Sequence, residues 1–306
     1  MSDKIQSIQH SNNHKNTNHK PPIGGWAPFL ELEHGTEAKP CNSKGVRVVS
    51  WNMNGARARL KRSDLLSEIR KSNADIFCAQ EFRCPLYVFL RRPGVKELLS
   101  EMGYSYIAYH MSTSNVGYAG VAIFSRVRFT KFGEGVDDAS LDTEGRVVWA
   151  EFEKFRLYNI YAPNSGSIGN LVNMPKKLRF MKALSKCVSN VCKPVMLCGD
   201  FNVTRLQNDV YDSLSHPRWT DHPSCTTTER DMFAELMAQS DLIDVQQKFN
   251  VHGFTFFRSR YLAAQNKGMR LDYFLCTEDF RRQNILRMEL LNTTAGSDHV
   301  PLCSDP

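Results

Sequence analysis

The run from residue 193 to residue 204 constrains the fold of this chain more than any other stretch. It reads Lys-Pro-Val-Met-Leu-Cys-Gly-Asp-Phe-Asn-Val-Thr. Its short apolar part, residues 195–198, follows a proline and predicts a strand that is buried on both faces. Asp200 and Asn202 come just after this strand, and side chains two residues apart point to the same side of an extended chain. Gly, Asp and Asn are also the usual residues of a β-turn. The choice between a functional strand end and a simple turn therefore depends on the rest of the sequence.

Two further predicted strands end on side chains that carry oxygen. Residues 46–51 run into Asn52 and Asn54, and residues 75–80 run into Glu81. Functional groups of sheet proteins gather at strand ends and in the loops beyond them. A hard cation such as Mg²⁺ takes oxygen ligands and needs only a small number of carboxylates from the protein. The three strand ends therefore predict a site for a cation or a phosphate at one edge of a sheet.

The remaining pattern alternates predicted strands with predicted helices and favours one large α/β domain or two small ones. Thr226, with Glu229 three residues later, resembles a capping box that begins a helix. The predicted strands span residues 104–110, 119–125, 147–152, 156–161, 270–275 and 285–291, with 127–132 as an extension of the sheet. The predicted helices span residues 58–71, 175–191 and 226–239, and the stretch 85–101 is helical but interrupted by Pro93-Gly94.

A second group of polar residues suggests acid/base chemistry. Asp272 lies among apolar neighbours in a predicted strand, and a carboxylate in such a place needs a partner. His299, next to Asp298 in a later loop, is the obvious candidate, and the pair would form an acid/base dyad. Tyr161 ends another predicted strand, just before a turn that contains Asn164. For Tyr161 the alternative is a core tyrosine with a satisfied hydroxyl group.

The charge of the chain favours a polyanionic partner. The net charge is +7, and residues 1–44 contribute five lysines against four acidic residues, so the excess lies in the rest of the chain. Residues 254–260 mix aromatic side chains with Arg258 and Arg260, which suits stacking on bases and contact with phosphates. The alternative is an alternating, half-buried strand. Lys176 and Lys177 are further candidates for contact with DNA, on charge alone.

Composition excludes several other classes of protein. No apolar run approaches the roughly 18 residues that span a bilayer. The nine cysteines are scattered, without a C-x-x-C pair, which favours a reduced intracellular protein without a zinc site. Residues 1–44 are polar and resemble neither a secretory signal nor a typical mitochondrial presequence. We therefore predict a disordered leader over residues 1–44 and a single domain over 45–306, in a protein of the nucleus, with an organelle left open.

Eight short motifs occur in a fixed order along the chain, and together they resemble the endonuclease/exonuclease/phosphatase superfamily. Within it, the chain most resembles the exonuclease III type of apurinic/apyrimidinic endonuclease, from about residue 46 to residue 301. The resemblance implies a four-layer α/β sandwich, with two mixed β-sheets packed face to face and helices outside. The motifs are Ser50-Trp-Asn-Met-Asn-Gly-Ala-Arg57, Cys78-Ala-Gln-Glu81, Gly117-Tyr-Ala-Gly120, Glu144-Gly-Arg146, Tyr161-Ala-Pro-Asn164, Gly199-Asp-Phe-Asn202, Arg270-Leu-Asp-Tyr273 and Gly296-Ser-Asp-His299.

The resemblance also implies a role for each site residue. Glu81 would be the main carboxylate of a Mg²⁺ site, with Mn²⁺ as an alternative ion, helped by Asn54 and Asp298. Asp200 would orient or deprotonate the attacking water, and His299, paired with Asp272, would donate to a phosphate oxygen. The residues expected to contact the scissile phosphate are Asn52, Tyr161 and Asn202, and those expected to support the site or contact DNA are Arg83, Tyr118, Arg146, Asn164 and Met269.

The implied activity is a Mg²⁺-dependent cut on the 5′ side of abasic sites in double-stranded DNA, made by a monomer that does not bind membranes. A 3′ exonuclease or phosphodiesterase activity is left open. Two alternatives are a retroelement-type or general DNA-nicking enzyme and a catalytically weak DNA-binding protein. The chain departs from the family pattern at Phe82-Arg83, at Ser167, at Met269 and after Pro301, where the family continues into a last apolar strand that is expected to be short or truncated here.

Overall fold

Two β-sheets packed face to face form the centre of the computed structural model, which describes residues 29–32, 45–57, 65–211, 219–291 and 296–306. The strands are β1 Phe29–Glu31, β2 Val48–Asn52, β3 Ile76–Gln80, β4 Tyr106–His110, β5 Val121–Ser125, β6 Lys131–Glu134, β7 Val147–Glu151, β8 Arg156–Tyr161, β9 Val195–Asp200, β10 Ile243–Asp244, β11 Asp272–Cys276, β12 Arg287–Leu290 and β13 Leu302–Asp305. Among the described residues, the first sheet has seven strands in the order β1-β4-β5-β3-β2-β13-β12, and the second has six in the order β10-β11-β9-β8-β7-β6.

Both sheets are mixed. In the first, β2 and β3 run parallel while the other pairs are antiparallel. In the second, β8 and β9 form the parallel pair. Parallel neighbours place their carboxyl ends at the same edge of a sheet. The ends of β2 and β3, and those of β8 and β9, therefore present their last residues together.

Helices lie against the outer faces of the sheets and at their edges, where Val245 and Phe280 reach the apolar cluster between the sheets. They are α1 Leu65–Ser72, α2 Leu86–Leu90, α3 Val95–Glu101, α4 Met174–Ser189, α5 Thr227–Gln239, α6 Val245–Lys248, α7 Arg260–Ala264 and α8 Glu278–Asn284. α5 begins at a complete capping box, in which Thr226 accepts from the Glu229 amide and Glu229 accepts from the Thr226 amide. Pro93 and Gly94 separate α2 from α3, as the sequence predicts.

Three apolar clusters fill the spaces between the four layers. The side chains of successive strand residues alternate between faces, so Cys198 lies between the sheets while its neighbour Leu197 packs under α4 and α5. On the first sheet, Trp51 and Phe77 pack against α1, α2 and α3. The predicted four-layer α/β sandwich is thereby confirmed. Within the described residues, no helix combines the length and the apolar character needed to cross a membrane.

The two ends of the chain differ from the sequence prediction. β1 lies inside the predicted disordered leader and pairs with the edge strand β4, so the prediction is wrong for residues 29–31; too few apolar residues stand there to show a period. For the residues of the predicted leader that lie outside the described ranges, disorder remains a prediction. The last strand, expected to be short or truncated, is present as β13 between β12 and β2. Backbone pairing on both sides supports this strand with few apolar side chains.

Three other predicted elements are shifted or absent. Residues 254–260 do not form a strand: Phe256 makes isolated bridges to Met269 and His299, and Ser259 caps α7. The extension predicted over 127–132 is instead β6, at the edge of the second sheet. The helix predicted over 58–71 is described as α1 from Leu65 onward, and residues 58–64 lie outside the described residues.

Candidate active site

The register of the two sheets brings the predicted site residues to one edge of the sandwich. Asp200, the last residue of β9, is paired with Tyr161 on its parallel neighbour β8 and with Asp272 on its antiparallel neighbour β11. In the facing sheet, Asn52 ends β2 beside Gln80, and Glu81 follows directly. The strand-end interpretation of residues 199–202 is therefore confirmed, because Gly199 and Asp200 belong to β9 and Asn202 lies just beyond its end.

Asn52 joins the two sheets at this edge. Its buried side-chain nitrogen donates to Glu81 Oε1 at 3.0 Å and to Asp200 Oδ2 at 2.8 Å. Its side-chain oxygen accepts from the Asn54 amide at 3.1 Å, so the orientation of the carboxamide is determined by its partners. The two carboxylates, one from each sheet, are thus held on either side of a single neutral donor.

Asp200 is buried, and its two carboxylate oxygens are engaged separately. Oδ1 accepts from the Asn202 amide at 2.8 Å, while Oδ2 faces Asn52 and lies 3.8 Å from His299 Nε2. Burial, opposed by His299 and assisted by the nearby Asp272 and Glu81, raises the pKa of Asp200 to about 7. A carboxyl group whose pKa lies near neutrality is suited to accept and release a proton at working pH.

His299 lies between two carboxylates. Its Nδ1 is 2.8 Å from Asp272 Oδ2, and its ring packs at 5.0 Å from the ring of Phe256. Burial lowers the pKa of His299, but Asp272 and Asp200 outweigh that effect and raise the pKa to about 10. The imidazole is therefore a cation at neutral pH, with Nε2 directed toward Asp200.

Two hydroxyl groups that sequence reasoning missed hold this dyad in place. Thr255 is buried, and its Oγ1 accepts from the amides of Leu271 and Asp272 at 2.9 and 3.1 Å. Ser297 Oγ donates to the Asn52 carbonyl at 2.6 Å and accepts from the His299 amide at 3.1 Å. Hydroxyl groups with backbone partners have no sequence signature beyond the residue type, which is why the pattern gave no sign of these two roles.

Tyr161 and Arg146 form a second part of the site. The Arg146 guanidinium lies 4.8 Å from the centre of the Tyr161 ring and donates to the Tyr118 hydroxyl at 2.7 Å. Glu144 accepts from Arg146 Nε at 2.6 Å and also pairs with Lys176. Burial, together with Glu81 and Asp200, raises the pKa of Tyr161 well above its usual value. Tyr161 is therefore a neutral phenol; its side chain is half-buried, and its hydroxyl group is hydrogen-bonded to Glu81.

The other predicted residues lie around this centre. Arg83 is partly exposed and pairs with Glu81. Asn164 is exposed and accepts from the Gly166 amide, and Met269 is half-buried on the segment that pairs with Phe256. Asp298 is also half-buried and adjoins His299, whose pKa it helps to raise. Lys177 is buried, so the suggestion that it contacts DNA is wrong.

Glu81, Asn54 and Asn202 share an unusual backbone conformation. Their φ angles are 47°, 47° and 50°, in the left-handed region that side chains other than glycine rarely adopt. Such strain is maintained only where surrounding contacts determine it, and it is concentrated at functional sites. All three residues follow the ends of strands at the same edge of the sandwich.

The chemistry of these residues fits a hard divalent cation. One buried group of possible ligands consists of Asp200, Asp272 and His299, whose atoms lie within 4.8 Å of one another. His299, however, is a cation bound to Asp272 and is a poor ligand in that state. Glu81 lies nearer to solvent and offers carboxylate oxygens, the donors that Mg²⁺ prefers. Its position favours it over the histidine cluster as the main metal carboxylate.

Comparison with known proteins places this geometry in context. Residues 49–299 match the model of the Endonuclease/Exonuclease/phosphatase family. The chain is similar to Recombination repair protein 1 of Drosophila melanogaster, with 33% identity over 286 residues that cover 89% of this chain and 39% of that relative. The chain thus spans about two fifths of the length of the Drosophila protein.

With two further proteins, the alignment covers most of the length of the other chain. The DNA-(apurinic or apyrimidinic site) endonuclease of Dictyostelium discoideum is 27% identical over 270 residues, which cover 84% of this chain and 69% of the relative. The solved structure of an AP endonuclease from Archaeoglobus fulgidus aligns with a TM-score of 0.71 at 21% identity, covering 85% of this chain and 98% of the other. At that identity the structural match shows the fold alone.

Proposed function

Because the chain belongs to the endonuclease/exonuclease/phosphatase family, we propose that it is a DNA repair endonuclease that hydrolyses the phosphodiester on the 5′ side of abasic sites. Nucleases of this family are metal-dependent hydrolases. The abasic substrate is supported by the similarity to the relative from Dictyostelium, whose name is DNA-(apurinic or apyrimidinic site) endonuclease. We further propose that the protein acts as a monomer on double-stranded DNA in the nucleus, and that residues 45–306 form the catalytic domain.

The observation that carries the proposal is the position of Asp200 between Asn52 and His299. A buried carboxylate whose pKa is raised to about 7 lies 3.8 Å from an imidazole whose pKa is raised to about 10. Near neutral pH, a group that can take a proton therefore lies beside one that can give a hydrogen bond. Hydrolysis of a phosphodiester needs both, because water must lose a proton while negative charge grows on the phosphate oxygens.

Each residue then has a distinct part in the reaction. Asp200 accepts the proton of the attacking water, and the carboxamide of Asn202 orients that water without competing for its proton. His299, held by Asp272, donates to a phosphate oxygen, and the neutral phenol of Tyr161 donates to another. Asn52 donates to both Asp200 and Glu81 and so fixes the spacing of the two carboxylates beside the scissile phosphate. These groups are positioned before the substrate binds, which is how electrostatic stabilisation accelerates a reaction.

A divalent cation would complete the site. We assign Glu81 as its main carboxylate, assisted by Asn54 and Asp298, and Mg²⁺ as the ion, with Mn²⁺ as an alternative. When bound, such an ion supplies positive charge that neutralises the phosphate oxygens in the transition state. Arg83 and Arg146 place further positive charge on the two sides of the same edge, and Asn164, Tyr118 and Met269 border it as contacts for DNA.

The test uses two end-labelled duplexes that differ by one abasic-site analogue. Cleavage on the 5′ side of the analogue, present in Mg²⁺ and absent in EDTA, is the expected result. Equal nicking of both duplexes would favour a general DNA-nicking enzyme of the same family. DNA binding that weakens with salt, without cleavage of either duplex, would instead indicate a non-catalytic DNA-binding protein.

A further inference from the structure

A buried lysine lies directly behind the candidate active site. Lys177, in the first turn of α4, has a side chain that is 2% exposed. Its ammonium group lies 2.6 Å from Glu229 Oε1 and also donates to the backbone carbonyl of Asn202. A fully buried ammonium is costly unless it is paired and hydrogen-bonded. The lysine therefore connects α4 and α5 to Asn202, two residues beyond the end of β9.

Asn202 depends on such support because its backbone is strained. Its φ angle is 50°, its amide donates to Asp200 Oδ1 at 2.8 Å, and its side-chain nitrogen donates to the Ala162 carbonyl at 3.0 Å. The bond from Lys177 to the Asn202 carbonyl adds a third restraint from a third element. Because the Asn202 amide is one of the partners of Asp200, any rotation of this residue also moves the general base.

Glu229 does not need the lysine for its structural role at the start of α5. It already accepts from the amides of Ser224 and Thr226, at 3.1 and 3.2 Å. The Ser224 carbonyl in turn accepts from the Thr204 amide at 2.7 Å. The Glu229 carboxylate is therefore linked to Thr204 through Ser224 and to Asn202 through Lys177. The ion pair thus adds the direct connection between this capping group and the active-site residue.

We propose that the buried Lys177–Glu229 ion pair is a positioning element that holds Asn202, and through it Asp200, in the catalytic arrangement. This inference rests on the proposed function for its kinetic part. Because the Lys177 side chain is buried, its loss should lower kcat and leave KM for DNA nearly unchanged. Because misplacement of a catalytic group by about 1 Å is enough to lose about 100-fold in rate, we expect Lys177→Met to reduce kcat about 10- to 100-fold.

A set of matched variants separates positioning from simple stability. Lys177→Met/Glu229→Gln removes the ion pair without leaving an unpaired buried charge, and glutamine retains an acceptor for the capping bonds of α5. Lys177→Arg keeps a cation and donors at the same place. Leu184→Ala, in the core on the same helix, lowers stability without touching Asn202. Urea denaturation of each variant fixes conditions in which all of them are folded.

The expected result is that the double variant recovers stability relative to Lys177→Met but keeps the low kcat, while Lys177→Arg recovers part of the rate. Leu184→Ala should retain the kcat of the unaltered protein. A double variant with normal kcat, or an equal fall in kcat for Leu184→Ala, would overturn the inference.

A second measurement is independent of activity. The side-chain amide signals of Asn202 in a ¹⁵N NMR spectrum should shift in Lys177→Met and in the double variant, and not in Leu184→Ala. Unchanged signals in the lysine variants would contradict the positioning role even if the unaltered protein cleaved DNA. Conversely, shifted signals in a protein that cleaves no duplex would leave positioning intact and overturn the proposed function alone.

Discussion

Asp200 and Asp272 lie directly opposite each other on the antiparallel strands β9 and β11, and His299 lies between their carboxylates. Residues paired in this way place their side chains on the same face of the sheet. Two buried carboxylates would repel each other there, and the imidazolium compensates both. The dyad is therefore a consequence of strand register, and its charge state depends on all three residues together.

The first prediction concerns the orientation of the histidine. Asp272→Asn keeps the shape of the side chain but removes the charge that stabilises the His299 cation and fixes its ring. We expect kcat to fall about 10²- to 10³-fold, in the range attributed to general acid–base groups, and the pKa of His299 to fall. Steady-state cleavage kinetics and histidine NMR titration measure the two effects. The exposed Asp279→Asn serves as control, and unaltered kinetics for Asp272→Asn would contradict the assignment.

The pKa of His299 also predicts how its contribution to stability varies with pH. The folded-state pKa is about 10, above the unfolded value of about 6.5. A raised pKa means that the folded state binds the proton more tightly, so the stabilisation is complete below about pH 6.5. It is then lost progressively as the pH rises through the folded value. The difference in unfolding free energy between the protein and His299→Gln should shrink from pH 6 to pH 10 in urea titrations; a constant difference would be inconsistent with a protonated His299.

Thr255 offers a test with a closely matched pair of substitutions. Its Oγ1 accepts from two buried backbone amides, and Thr255→Val preserves the shape while removing the acceptor. Leaving these donors unsatisfied should lower the free energy of unfolding by about 2 kcal/mol or more. Thr255→Ser keeps the oxygen and should lose much less. Urea denaturation compares the two variants, and equal losses would show that the methyl group matters rather than the hydrogen bonds.

Gly199 is the position in β9 where a side chain cannot be accommodated. Its φ angle is 130°, and a Cβ atom there would lie 2.0 Å from the Ile160 carbonyl oxygen on β8. Gly199→Ala must therefore push β8 and β9 apart at the point where they present Tyr161 and Asp200. We expect a loss of about 2 kcal/mol or more in unfolding free energy, measured by urea denaturation. Wild-type stability for this variant would mean that the strands are more loosely packed than described.

Some of this arrangement is predictable from the sequence for simple physical reasons. An acid in an apolar strand, such as Asp272, needs a partner, and oxygen-bearing residues after several buried strands meet wherever those strands lie side by side. The order of the motifs then predicts which strands are neighbours. The convergence of Asn52, Glu81 and Asp200 at one edge could be anticipated from these patterns, whereas the four-layer fold was predictable only from the resemblance of the motifs to a known superfamily.

Other features leave no sufficient trace in the sequence. β1 and β13 are short strands held mainly by backbone pairing with β4, β12 and β2, and backbone groups are the same in every residue. Lysine is usually a surface residue, and Lys177 is buried only because of its position on the inner face of α4. Thr255 acts through a hydroxyl group on the backbone of a distant strand, a contact that depends on tertiary structure alone.

The central claim is that Asp200 supplies the base for cleavage at abasic sites, and one assay tests it most directly. The unaltered protein and Asp200→Asn are each incubated in Mg²⁺, and in EDTA, with a duplex carrying a single abasic-site analogue and with its undamaged counterpart. We predict Mg²⁺-dependent cleavage on the 5′ side of the analogue by the unaltered protein, none of the undamaged duplex, and a loss of about 10²-fold or more in rate for the variant. Cleavage by Asp200→Asn at the rate of the unaltered protein, or equal cleavage of both duplexes, would contradict the account.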